Sequence, residues 1–196
     1  QESDRFRGEF STPSDLTHLM VRLGAPRYGT VFDPASGEGG LLLMAALGDD
    51  RDDSQPMTLV GFERNAEVMN VSRARFFLYG VEADLINTDA FRTRPDELPA
   101  ADLVLLDPPL GASDWGDADV YLDQRWSYGV PPPKNADLAW LQLAVQSLNS
   151  DGRAIVATTP GALFRAGREA EIRSALLREG CVSAVVMLPP RLRANT

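Results

Sequence analysis

The chain has one cysteine, Cys181, and one histidine, His18, so the residues most used as thiol nucleophiles and near-neutral acid–base groups are almost missing. A single cysteine excludes an internal disulfide, and a reducing cytoplasmic setting is expected. The acidic stretch "GDDRDDS" at 48–54 lacks the spacing of a calcium loop, so it reads as a solvated loop and no metal is expected. His18 falls mid-helix beside Leu19 and is expected on a helix surface; Cys181 is expected to pack rather than react. No apolar run approaches the roughly 20 residues of a membrane helix. The first ten residues, "QESDRFRGEF", hold no signal-peptide core, so no membrane association is expected. Basic residues are scarce as well: 19 Lys and Arg stand against 28 Asp and Glu, for a net charge of −9. A domain that grips DNA unaided carries a basic face. A nucleic-acid substrate would therefore need a partner or further segments, with Arg165, Arg168, Arg173, Arg191 and Arg193 as candidates for a local basic patch.

What is present is a regular alternation. Strand-like runs lie at 30–34, 58–63, 84–89, 101–109, 153–160 and 182–190, rich in Val, Leu and Ile with little polar alternation. That pattern suits parallel strands buried on both faces. Between them lie helical patterns at 12–24, 65–80, 135–149 and 167–180. The first has Thr12 as a candidate cap, Pro13 in the first turn and Gly24 as a stop; the second opens on Asn65 and closes on Gly80. Strands alternating with helices of this length predict an α/β, doubly wound, mostly parallel sheet of Rossmann-like type. Four divisions of one domain over 1–196 follow: an N-terminal motif and helix (1–24), a cofactor-binding half (25–109), an irregular stretch or lid (110–134), and the second half of the sheet (135–196). In the irregular stretch Trp115, Trp126 and Tyr128 are expected at a loop surface or over a bound target. Ligands of such sheets sit beyond the carboxyl ends of the strands.

Those ends carry the chemistry. "VFDPASGEGGLLLMAAL" is a strand, a glycine-rich turn and a helix, which lets backbone approach a ligand closely. A dinucleotide fingerprint fails, because its third glycine position is Leu42 and Glu38 would oppose a pyrophosphate. A Walker loop fails too, since no Gly-Lys-Ser/Thr follows. Asp33, with Glu38, suits a ligand that is cationic near the turn, such as the sulfonium and ammonium of S-adenosylmethionine. Glu63 ends the next strand, where a carboxylate can accept both hydroxyls of a ribose. Asp89 ends the third, where an acceptor can meet an adenine amine, with Ala90 and Phe91 as a candidate apolar wall. The fourth strand runs into Asp107-Pro108-Pro109-Leu110. Prolines stiffen this turn and add no donor. A side-chain oxygen at 107 and the Pro108 carbonyl could then hold both hydrogens of an exocyclic amine, turning its lone pair out of the ring plane toward a methyl donor.

"GEFSTP" (8–13), "DPASGEGG" (33–40), "GFERN" (61–65) and "DPPL" (107–110) stand in the order found in amino-group DNA methyltransferases with the cofactor motif first. Together with "WSYGVPPPKNADLAWLQLAVQSL" and the stretch from 152 to 190, they resemble the N6-adenine modification (methylase) subunit of type I restriction-modification systems. The resemblance implies that Phe10, Ser11, Thr12 and Pro13 line the cofactor. It implies that Asp33, Ala35, Gly37, Glu38, Gly39 and Gly40 cradle its methionine end, Glu63 its ribose, and Asp89, Ala90 and Phe91 its adenine. Asp107, Pro108, Pro109 and Leu110 would meet a base flipped from DNA. It further implies a catalytic-core fragment working with a specificity subunit, and leaves open whether nuclease subunits accompany them. Three positions depart from the family pattern: Asp107 replaces the usual Asn, Leu110 an aromatic that stacks on the base, and Ser36 a small Cys or Ala. Losing the ring at 110 could cost about 1–3 kcal/mol of base binding. Two alternatives therefore stay open: an inactive cofactor-binding scaffold in a DNA-binding complex, and a methylase of another amine such as cytosine N4 or an RNA base.

Overall fold

The computed structural model describes residues 12–48 and 54–189. They form a five-stranded sheet in which every pairing is parallel, with strand order β3-β2-β1-β4-β5. The strands are β1 (Gly29–Asp33), β2 (Met57–Glu63), β3 (Asp84–Asn87), β4 (Ala101–Leu106) and β5 (Leu148–Val156). The chain builds outward from β1 to β3, then crosses back to lay β4 against the other side of β1. The reversal of order between β1 and β4, where Phe32 pairs with Val104, is the crevice at which sheets of this kind bind ligands.

Strand side chains alternate between two cores, as a pleated sheet covered on both faces requires. Val31, Leu59, Leu103 and Leu105 face one side, beneath α1 (Ser14–Gly24), α2 (Gly40–Leu47) and Phe76 of α3 (Ala66–Tyr79). Phe32, Val60, Phe62, Val104 and Leu106 face the other, against an aromatic-rich layer that includes Trp140 of α5 (Asp137–Gln146). A short α4 (Ala118–Leu122), a single turn α6 (Gly161–Phe164) and α7 (Arg168–Arg178) complete the described helices. Leu138, Leu141 and Val145 pack with Ile172 and Leu176 of α7, while Ala139, Trp140 and Leu143 join the core cluster of Val104 and Leu106; Leu148, within the expected helical pattern at 135–149, instead opens β5. Helix α5 is thus buried on two faces.

The structure corrects several expectations. Helix α1 begins one residue after Pro13, with no side-chain cap, so Thr12 lies outside it. Its stop is Ala25, in the left-handed region at φ 43°, and not Gly24. Gly24 instead lets the helix close on the sheet, for a Cβ there would lie 2.9 Å from Leu103 Cδ2. Asn65 does cap α3, accepting from the amides of Glu67 and Val68, and Gly80 ends it at φ 64°. Strand β3 stops at Asn87, so Asp89 follows it by two residues; β4 stops at Leu106, because two prolines cannot extend a ladder. Residues 182–189, expected as a sixth strand, form none: Val185, Val186 and Met187 are exposed and the run pairs with no strand among the described residues. An apolar run needs a neighbour's N–H and C=O groups to become a strand, and sequence pattern cannot supply that neighbour.

The irregular stretch also differs. Trp115 and Trp126, expected at a loop surface or over a target, are core residues, each 6% exposed. Phe91 lies 4.1 Å from Trp140 and 4.9 Å from Trp115 between ring centroids, and Trp115 meets Trp126 at 5.3 Å. Their indole N–H groups donate to the carbonyls of Pro132 and Val120, so burial leaves neither unsatisfied. Tyr128 is half-buried, its hydroxyl 3.3 Å from Cys181 Sγ. His18 is exposed on α1, as the pattern predicts, and Cys181 packs against the α5–α7 cluster. Arg165 and Arg173 are not a free basic patch: the first pairs with Asp137 and Glu169, the second donates to the carbonyls of Ala162 and Arg165. Arg191 and Arg193 lie outside the described residues, as does most of the acidic 48–54 stretch.

Candidate active site

Acidic side chains stand at or just beyond the carboxyl ends of β1, β2, β3 and β4: Asp33, Glu63, Asp89 and Asp107. Parallel pairing makes this a consequence of topology, since all four strands end on the same edge. The glycine-rich turn between β1 and α2 lies among them. Its shape comes from a chain of backbone contacts: Ser36 N–H and its hydroxyl both donate to the Phe62 carbonyl, and Gly39 N–H donates to Ser36 O at 2.7 Å. Gly39 is at φ 77°, and a Cβ there would lie 2.5 Å from the Phe76 ring, so this position needs glycine for both conformation and space. Gly40, by contrast, faces open space. It borders a cavity of about 270 Å³ with Thr12, Thr17, Ser36, Glu38 and Arg75.

Glu63 ties β2 to this turn. Its Oε2 accepts from Gly37 N–H at 3.1 Å and its Oε1 from Asn65 N–H at 2.7 Å. The Asn87 side chain holds the Glu63 backbone by donating to its carbonyl at 2.7 Å. Asp33 is 1% exposed and its Oδ1 accepts from Ala35 N–H at 3.0 Å. Among the described residues, no basic side chain pairs with Asp33 or Glu63. Burial raises the Asp33 carboxyl from its ordinary 3.8 to about 8; the Ala35 N–H pulls the other way, and the charge of Glu63 adds to the rise. Two buried acids served by N–H donors, with no basic partner among the described residues, make a good seat for a ligand cation, and the open face of Gly40 leaves room for one to be reached by backbone.

The sign of the resulting pH effect is fixed. A carboxyl whose folded pKa lies above its unfolded one favours folding while protonated, so its contribution is full below about 3.8 and is lost as pH rises through about 8. Asp33→Asn, which stays neutral, is therefore expected to gain thermal stability relative to the parent as pH is raised from 5 to 8. Melting temperatures of both proteins across that range check this; parallel curves would show that Asp33 is ionised throughout.

The other expected residues fall into place unevenly. Phe10 and Ser11 lie outside the described residues. Thr12 lines the cavity and Pro13 sits at the start of α1. Ala35 is half-buried against the aromatic core. Glu38 also lines the cavity, but its carboxylate is 3.6 Å from Arg75 Nη1 and its carbonyl accepts from the same group at 2.7 Å, so part of its charge is already met. Asp89 turns its Oδ1 to Phe91 N–H at 3.0 Å, with Arg92 3.9 Å from its other oxygen. Ala90 and Phe91 are buried, and the Phe91 ring is spent on Trp115 and Trp140. Past β4, Asp107 is half-buried, Pro108 buried, Pro109 exposed and Leu110 half-buried.

Sequence reasoning missed residues whose part is to hold others: Ser36 on the glycine turn as a brace, Arg75 behind Glu38, Asn87 behind Glu63, and Asp137 behind the residues after Leu110. Asn135 Oδ1 in turn accepts from the Asp137 N–H at 2.9 Å, at the start of α5.

Known proteins resemble this chain in sequence and in fold. The sequence model of the family described as N-6 DNA Methylase matches residues 1–196. The chain is 28% identical over 202 residues to the HindI type I restriction enzyme methylase subunit of Haemophilus influenzae, covering 100% of this chain and 45% of that protein. It is 29% identical over 198 residues to the EcoEI methylase subunit of Escherichia coli, covering 93% of this chain and 39% of that one. The crystal structure of the type I restriction-modification methyltransferase subunit from Streptococcus thermophilus matches with a TM-score of 0.77 at 31% identity, over 88% of this chain and 39% of that one. The chain thus spans less than half the length of these relatives. With strand-end acids, glycine turn and Asp-Pro-Pro turn on one sheet edge and the family model matched from end to end, the chain belongs to the N-6 DNA methylase family.

Proposed function

We propose that the chain is the catalytic part of a modification methylase that transfers a methyl group from S-adenosylmethionine to N6 of adenine in DNA. The observation that carries this is the placement of Asp33, Glu63, Asp89 and Asp107 along one sheet edge, on both sides of the β1–β4 reversal. The residues present suit the cofactor: buried Asp33, with no basic partner among the described residues, favours a cationic methionine end, and Glu63 has lone pairs left for ribose hydroxyls beyond its two N–H donors. S-adenosylmethionine supplies a methyl on a good leaving group, its sulfonium. In this reading Ala35, Gly37, Glu38, Gly39 and Gly40 surround the methionine end, Thr12 and Pro13 line the cofactor, Asp89, Ala90 and Phe91 sit toward the adenine, and Phe10 and Ser11 belong to the same cofactor-lining motif.

Asp107 and the Pro108 carbonyl hold the two amine hydrogens of the target base, which leaves the nitrogen lone pair pointed at the methyl. The new N–C bond forms as the C–S bond breaks, and the nitrogen sheds a proton to solvent. Alignment of this kind supplies most of the acceleration in a direct displacement. The duplex must release the base first, and with a net charge of −9 the grip on DNA comes from a specificity subunit and further segments. Nuclease subunits would share that assembly, in the cytoplasm. Among the described residues, no helix is long and apolar enough to cross a membrane.

One observation favours a second reading. Leu110 is aliphatic where the family pattern has a ring, and Trp115 and Trp126 are committed to the core, so neither supplies it. A cofactor-binding scaffold without transfer would tolerate that loss. The full-length protein with its partner, DNA and methyl-labelled cofactor separates the readings. The expected result is label in N6-methyladenine after digestion. Cofactor binding without transfer would select the scaffold, label in N4-methylcytosine would change the base, and no cofactor binding by the folded protein would reject the proposal.

A further inference from the structure

The Asp107-Pro108-Pro109-Leu110 turn has an unusual weakness. Its two prolines carry no N–H, so the turn has few backbone donors with which to tie itself down. It is fixed at its entry by β4, where Leu106 pairs with Val156. Its exit is fixed from another part of the chain. Gly111, at φ 64°, donates its N–H to Asp137 Oδ1 at 3.1 Å. Immediately beyond, Ala136 N–H donates to Ala112 O at 2.9 Å and Asp114 N–H to Pro133 O at 2.9 Å. The segment leaving the turn is therefore laced to residues 133–137.

Asp137 is built to be rigid. It is 2% exposed and is the first residue of α5, where the positive end of the helix favours a carboxylate. Its own N–H is held by Asn135 Oδ1 at 2.9 Å. Its Oδ2 accepts from the Thr159 hydroxyl and from Arg165 Nη1, the latter at 3.0 Å. Arg165 is itself fixed: Nη1 also meets Glu169 at 3.1 Å, Nη2 donates to Thr159 Oγ1 at 3.1 Å, and Arg173 donates to the Arg165 carbonyl at 3.1 Å. Thr159 follows β5 at the same sheet edge as the Asp-Pro-Pro turn, so the network reaches that turn from two elements at once.

We propose that Asp137, backed by Thr159 and Arg165, is a positioning residue that anchors the exit of the Asp-Pro-Pro-Leu turn through Gly111 and so sets where the amine acceptors sit. This deepens the methylase reading and rests on it. Asp137 touches neither base nor cofactor; it acts through the turn. Misplacement of a reacting group by about 1 Å can lower a rate by about 100-fold.

The test uses the full-length methylase with its partner and DNA, and compares Asp137→Ala and Asp137→Ser with Asp137→Asn and with Ile172→Ala. Alanine removes the acceptor; serine is polar but too short to reach Gly111; asparagine keeps one oxygen, but its NH₂ must then face either the Gly111 N–H or the Thr159 and Arg165 donors. Ile172, 1% exposed in the α5–α7 cluster, is a destabilising control that leaves the turn alone. Expected for alanine and serine are faster hydrogen exchange at the Gly111 amide and a single-turnover transfer rate lower by about 10- to 100-fold, with cofactor affinity unchanged. Asparagine should fall between alanine and wild type in both, and Ile172→Ala should lower the melting temperature without either effect. Unchanged Gly111 exchange in the alanine and serine variants would overturn the anchor, and so would an equal loss of rate in Ile172→Ala. A wild-type protein that binds cofactor and transfers nothing, yet shows the exchange difference, would overturn the methylase reading while the anchor stands.

Discussion

Asp107→Ala is expected to lower single-turnover methyl transfer by about 100- to 1,000-fold, the usual effect of removing one preorganised polar contact from a reacting group, while leaving cofactor affinity unchanged. The amine of adenine is a weak nucleophile because its lone pair belongs to the ring. Anything that draws that pair out of the plane acts in the transition state more than in the ground state, so the loss should fall on rate and spare binding. Asp107→Asn is the sharper companion. It keeps a side-chain oxygen for the amine and loses only the charge, so substantial activity should remain. Quenched-flow transfer of labelled methyl to a duplex carrying the recognition site, with cofactor affinity measured by calorimetry, decides the matter. A variant that loses cofactor binding in step with rate would place position 107 in the cofactor half and remove the amine clamp.

The second large effect belongs to Glu63. In Glu63→Ala we expect cofactor affinity to fall by about 100-fold, since a charged hydrogen bond contributes about 1.5–3 kcal/mol and about 1.4 kcal/mol is a factor of ten. Two losses combine. The ribose would lose its acceptor, and Gly37 N–H would lose the Oε2 that holds the glycine turn in place. Glu63→Gln separates them in part. Both carboxylate oxygens accept from backbone N–H groups, of Gly37 and Asn65, so an amide must turn its NH₂ toward one of them. Glutamine should therefore weaken binding too, by less than alanine, and lower the melting temperature because one buried N–H goes unmet. Equal cofactor affinity in wild type and Glu63→Ala would reject the ribose assignment.

The strand-end acids were legible in the chain because each follows an apolar run and precedes a helix or turn signal, a purely local pattern. So was the helix capped by Asn65 and ended by Gly80, whose ends are decided within four residues. Errors arose where a residue's partner lies far away in sequence. Trp115 and Trp126 looked like loop aromatics, but a long connection folded over β4 must bury its largest rings, and Phe91 and Trp140 were waiting for them. The apolar run after Cys181 looked like a strand and, among the described residues, found no edge to join. Arg165 and Arg173 looked like a basic face, and are spent on carboxylates and carbonyls inside the fold.

Periodicity, punctuation by glycine and proline, and the order of short motifs were enough to predict the doubly wound sheet and the methylase family. Those features depend on contacts between near neighbours and on a topology with few handed solutions. Which acid is buried, which amide each carboxylate holds, and what keeps a donor-poor turn in place emerged only with the folded chain. Gly37 and Glu63 are 26 residues apart, as are Gly111 and Asp137. Hydrogen bonds over such distances are set by how strands and helices pack, and packing leaves almost no trace in local pattern.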